Sequence, residues 1–233
     1  MFRILTLSVF IIFFLLPNLI FGQRSDGGPG AWYMNFFRVG SLMHTGIGID
    51  GTMQYRSSDL RGGTGRILLR GGVFYSHQSE KTKLQFTLGD AFIHNTFYDE
   101  IKTTRLENRL YQQIALPHQV GSAFLFRHRL QLEERLVIKQ DFFLRWRYQF
   151  KLDVLLNKKE MTKGTLYLAL SDEIFIHGQH TSADQPTLFN QNRAYGALGY
   201  SITRHLRTQG GYMQEIRPNV SHGQLQVSLH QSF

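Results

Sequence analysis

Apolar and polar residues alternate along most of this chain with a period of two. The clearest run is 142–154. There Phe142, Leu144, Trp146, Tyr148, Phe150, Leu152 and Val154 share one parity, and Arg145, Arg147, Gln149, Lys151 and Asp153 share the other. Successive side chains of a strand point to opposite faces, so the pattern predicts one strand with an apolar face and a charged face. The preceding run repeats it. Phe124, Phe126, Leu130, Leu132, Leu136 and Ile138 oppose Arg127, Arg129, Gln131, Glu133 and Arg135, with His128 and Glu134 as exceptions on the apolar side. The last run, 222–233, sets Leu225, Val227, Leu229 and Phe233 against Gln224, Gln226, Ser228 and His230. Further strands are expected near 31–39, 45–56, 66–77, 83–96, 103–116, 164–177, 191–203 and 206–217.

These runs are long. A globular strand has about 5–6 residues, whereas crossing a bilayer at a tilt takes about 9–11. The expected fold is therefore all-β, a single closed antiparallel transmembrane β-barrel. The runs number 11. Single-chain bacterial barrels usually have an even strand count, so about 12 strands are expected, with about 10 as the next choice. Stretch 178–190 is the longest polar connection and is expected to face outward from the cell, and the short turn near Arg204–His205 is expected at the opposite end. The rival reading is a soluble exported β-sandwich, which predicts shorter strands and more Pro and Asn turns.

The first 22 residues read differently. Arg3 precedes an apolar stretch from Leu7 to Leu16, then Pro17, Asn18 and a small residue, Gly22. That order is expected of a secretory signal peptide over 1–22, cut before Gln23, with the barrel over 23–233. The apolar run is too short for a membrane-spanning helix, and no later stretch approaches 18 apolar residues. Composition agrees with a barrel: 19 Phe, 10 Tyr and 22 Gly stand against 5 Pro. Rings suit the two membrane interfaces, and few prolines leave the ladder unbroken. Cysteine is absent, so no disulfide forms.

The net charge is +9. Parity sends most of the charge to one face, which in a membrane barrel lines the lumen. The expected lumen set is Arg105, Glu107, Arg109, Arg127, Arg129, Glu133, Arg135, Arg145, Arg147, Lys151, Asp153, Glu173, Arg193, Glu215 and Arg217. Such a set can be a packed ion-pair network filling a narrow barrel. It can also be a basic pore that favours anions. Asp172 breaks the pattern, falling on the lipid side with Leu166, Leu168, Leu170, Ile174 and Ile176. Either a bulge shifts the register there or the site has a role.

Five segments carry a resemblance: RHRLQLEER (127–135), FLRWRYQF (143–150), SDEIF (171–175), FNQNR (189–193) and GALGY (196–200). In this order they resemble the motif series of the family catalogued as domain of unknown function 2490. The resemblance implies an outer-membrane barrel and no assigned activity. Members typically carry an Arg-x-Arg strand, an Asn-Glu-x-Phe strand and an Asp-Gln-Asn-Arg segment. This chain departs in having Asp172 where Asn is usual and Asn190 where Asp is usual.

Candidate chemistry is sparse. Some outer-membrane barrels are lipid hydrolases, and His-x-Ser puts both side chains on one strand face. It occurs at His77/Ser79, His180/Ser182 and His230/Ser232, with no acid placed by spacing. His177, His180 and Asp184 offer metal-binding side chains, but not at the spacing of a dedicated metal site, so no metal or other cofactor is expected. The Gly-rich piece Arg61–Gly65 lacks the ending of a nucleotide loop. Inward alternation of the charge, rather than a surface patch, argues against nucleic acid. Expected partners are outer-membrane lipid and lipopolysaccharide. The barrel-assembly machinery is also expected, through the C-terminal strand ending in Phe233. The expected role is a structural barrel of the outer membrane or one that passes small, anionic solutes through a basic lumen. The alternatives are a lipid- or lipopolysaccharide-modifying enzyme at the outer rim and the soluble glycan-binding sandwich.

Overall fold

A computed structural model describes residues 29–40, 45–58, 65–79, 83–98, 102–138, 142–178 and 188–233. The expected signal peptide, its cut site and most of loop 178–190 lie outside these residues. Eleven strands follow one another: β1 (Gly30–Val39), β2 (Ile47–Ser57), β3 (Gly65–Gln78), β4 (Lys83–Tyr98), β5 (Lys102–Val120), β6 (Phe124–Val137), β7 (Phe143–Leu155), β8 (Leu166–His177), β9 (Phe189–Ser201), β10 (Leu206–Arg217) and β11 (Val220–Ser232). All eleven alternating runs form strands, and none spans two. Among the described residues no helix is long and apolar enough to cross a membrane.

The strands close in chain order into one barrel. Sequential neighbours pair antiparallel, as in β6 against β7 from Phe124↔Val154 to Arg135↔Phe143. Closure is different. β1 pairs with β11 in parallel, from Gly30↔Gln224 to Arg38↔Ser232. This corrects the expected count of 12. An even number follows only when every neighbouring pair is antiparallel, and one parallel pair lets 11 strands close. Phe233 extends the seam: its N–H donates to the Arg38 carbonyl at 2.8 Å, and its own carbonyl accepts from Gly40 N–H at 2.8 Å. The two-sheet sandwich of the rival reading is not formed.

The barrel is apolar outside and polar inside. Large apolar side chains stand exposed around its whole circumference, among them Tyr33, Met53, Val73, Leu88 (65%), Leu130, Trp146, Leu198 (59%) and Val227. Buried polar side chains include Gln113, Gln131, Glu133, Arg145, Glu173 and Glu215. A water-soluble barrel with a packed interior has the reverse arrangement. Some apolar side chains do turn inward, and Trp32, Met34, Leu155, Tyr167, Tyr195 and Met213 belong to one cluster. Tyr111 shows how the interior makes room. Its ring lies over Gly72 and Gly89, where any Cβ would run into the phenol, and its hydroxyl donates to the Gly71 carbonyl at 3.1 Å. Glycine is needed here for close approach rather than for backbone freedom.

Candidate functional site

Among the described residues two cavities lie in the interior. The upper one, of about 270 Å³, opens at the end where β1 begins and is lined by residues such as Arg66, Asn95, Arg105, Asn190 and Arg217. The lower one, of about 290 Å³, lies toward the end where β11 finishes, near Arg38, Asp50, Arg207 and His230. Gln54, Arg56, Arg70, Arg147 and Arg193 line both. These five side chains therefore form the waist between the cavities.

The charged residues expected from parity lie on this inner wall. Arg105, Glu107, Arg109, Glu133, Arg135, Arg145, Arg147, Arg193 and Arg217 line the upper cavity. Arg127, Arg129, Arg147, Lys151, Glu173 and Arg193 line the lower one. Glu215 sits against Arg193, its Oε2 accepting from Nε at 2.7 Å. Asp153 shares the inward parity of β7 but lines neither cavity.

Most of these residues interlock. Glu133 accepts from Arg145 Nε at 2.9 Å and also from Arg147. Glu173 accepts from Arg147 Nη2 at 2.6 Å and from Arg129 at 2.5 Å. Glu107 takes Arg109 Nε at 2.7 Å and Arg135 Nε at 2.5 Å, and Glu215 also takes Arg217 at 2.5 Å. Phe175 lies beneath three guanidiniums, those of Arg145, Arg147 and Arg193, at 5.0, 4.5 and 4.7 Å from its centroid. Asn190 accepts from Arg145 at 3.4 Å. Arg129, Glu133, Arg145, Arg147, Glu173, Asn190 and Arg193, from four of the five motif segments, thus meet in one network beside Phe175. Charge-assisted bonds of this kind are short and directional. Arg127, Lys151 and Asp153 take part in no ion pair within 4 Å among the described residues.

Five inward cations escaped the parity reading: Arg38, Arg56, Arg66, Arg70 and Arg207, along with Asp50. On β1 and β3 inward positions such as Trp32, Met34, Leu68 and Phe74 are apolar too, so the two faces look alike. The alternation of Arg66 and Arg70 with Ile67 and Leu69 was the signal available. These arginines are held differently. Arg38 donates to Gln85 at 2.8 Å and covers the Phe74 ring at 3.9 Å. Arg56 donates to Gln54 at 2.5 and 3.2 Å and covers Trp32 at 3.6 Å. Arg70 donates to Gln113 at 3.0 Å and covers Tyr111 at 3.8 Å. Arg66 donates to Asn95.

The outer wall carries the exceptions. Asp172 lies between Ser171 and Glu173, which line the lower cavity, so it faces out. No bulge explains it, because the register shift of β8 against β9 comes later, between Phe175 and Ile176. Asp172 is only 2% exposed, and Asn192 Nδ2 donates to its Oδ1 at 2.9 Å. Asp172 Oδ2 and Asn192 Oδ1 are buried without a partner. His128 Nδ1 lies 2.8 Å from the Tyr148 hydroxyl.

Among the described residues the His-x-Ser pairs form no triad geometry. His230 Nε2 lies 2.9 Å from Ser228 Oγ rather than bonding Ser232, and His77 and Ser79 are exposed at the end of β3. His180, Ser182 and Asp184 lie outside the described residues. His177 Nε2 is 3.0 Å from Asn190 Nδ2.

A family model described as "Protein of unknown function (DUF2490)" matches residues 30–226. No curated protein and no solved structure matches the chain.

Proposed function

We infer that this chain, which belongs to the DUF2490 family of proteins of unknown function, is an outer-membrane barrel whose basic lumen admits small anions. The observation that carries this reading is the reversed polarity of the wall. Leu88, Leu198 and their like form a continuous apolar exterior, and such an exterior is stable against lipid, not water. Strands of 10–19 residues are long enough to cross the hydrocarbon region. Cations outnumber carboxylates along both cavities, which favours anions inside. The waist limits flux, because Arg147 and Arg193 line both cavities and are held there by ion pairs.

Planar-bilayer recording of the refolded barrel, with a salt gradient across it, tests both parts. The expected result is a small, anion-selective conductance that rises several-fold in Arg147→Ala. Cation selectivity overturns the anion reading. A folded barrel that stays monodisperse in water without detergent overturns the membrane reading.

A further inference from the structure

Arg56 on β2 and Arg66 on β3 are direct cross-strand partners on the inner wall. Like charges placed opposite each other repel, and burial strengthens the repulsion. An ordinary barrel would place a carboxylate between them. Among the described residues the carboxylates of the upper cavity are already taken. Glu107 is taken by Arg109 and Arg135, Glu133 by Arg145 and Arg147, and Glu215 by Arg193 and Arg217. Each of the two arginines is instead held by a neutral amide: Gln54 accepts from Nε and Nη2 of Arg56, and Asn95 accepts from Nε of Arg66. Arg56 is further fixed on the Trp32 ring. Among the described residues no acceptor meets the remaining guanidinium donors of either arginine, and both line the upper cavity.

We propose that Arg56 and Arg66 form a binding site for a small, water-soluble phosphate, either free phosphate or a phosphomonoester. Two planar forks, oriented by amides that leave their charge intact, match the oxygens of a doubly charged phosphate. The barrel wall separates the site from lipid, so the ligand arrives through the upper opening. A comparable opposition exists between Arg127 and Lys151. There Asp153 sits two residues along the same strand face, and Asp50 lines the same cavity, so charge is partly offset. At the upper pair the carboxylate that acts on both arginines, Glu215, is already shared by Arg193 and Arg217. This proposal rests on the reading of the interior as open to anions and adds a ligand and a place for it.

The test is titration calorimetry of the refolded barrel with inorganic phosphate in chloride buffer, with thermal unfolding in parallel. One phosphate per barrel is expected to bind and to raise the unfolding temperature. In Arg66→Gln the affinity falls at least tenfold. In phosphate-free buffer that variant unfolds no lower than the parent, because a repulsion has been removed. Lys159→Gln, a charge change in the exposed β7–β8 turn, leaves phosphate binding intact. Absence of binding by the parent, or equal binding by Arg66→Gln, overturns the site. Where Arg66→Gln does not refold, Arg56→Gln gives the same reading. Phosphate binding and conductance are independent readouts. A silent barrel that binds phosphate sinks only the passage reading, and a conducting barrel that ignores phosphate sinks only this one.

Discussion

The inner wall holds its arginines in two ways. On β1–β4, Arg38, Arg56, Arg66 and Arg70 rest on aromatic rings and side-chain amides, and none reaches a carboxylate within 4 Å among the described residues. On β5–β10, seven arginines share Glu107, Glu133, Glu173 and Glu215. The second arrangement neutralises charge and ties distant strands together. The first keeps the full cationic field, since rings and amides orient a guanidinium without cancelling it. Removing a member should therefore have different consequences on the two walls. An ion-paired residue leaves its partners buried and uncompensated, whereas an amide-held arginine leaves only neutral groups behind.

The sharpest way to break this comparison is Glu133→Gln. It strands Arg145 and leaves Arg147 with Glu173 alone, and loss of one partner of a buried pair costs about 3–5 kcal/mol. Urea unfolding of the barrel in lipid vesicles should show a loss of that size. Arg70→Gln comes next. It gives up the Tyr111 ring and the Gln113 bond, contacts worth about 1–2 kcal/mol together. The same urea midpoint measures it, and a loss as large as that of Glu133→Gln would show that the two walls do not differ. The smallest effect, of opposite sign, is expected from Asp172→Asn. An amide there can donate to the buried Asn192 Oδ1 that now lacks a partner, for a gain of about 1 kcal/mol. A loss of stability on that substitution would instead mark the carboxylate as needed.

Particular strands show what was readable in advance. β7 was legible almost residue for residue, because one face is apolar and the other charged from Leu144 to Asp153. β1 was legible as a strand but not as a wall of the site, because Trp32, Met34 and Phe36 face in while Tyr33 and Phe37 are also apolar. Arg56 shows a further limit. It escaped the parity reading, and nothing nearby in the chain announced that its neighbour would be Arg66 rather than a glutamate. Asp172 was legible as an anomaly, and its bond to Asn192 was not.

The sequence alone determined which side chains face in and which face out, since strand alternation has a period of two and is a local property of the backbone. Tertiary structure decided the rest. Arg129 and Glu173 are 44 residues apart, and they meet only because the turns set the register of β6, β7 and β8. The strand count likewise followed from closure. Whether β1 meets β11 in parallel depends on how the ends of a curled sheet come together, and no local pattern encodes that meeting.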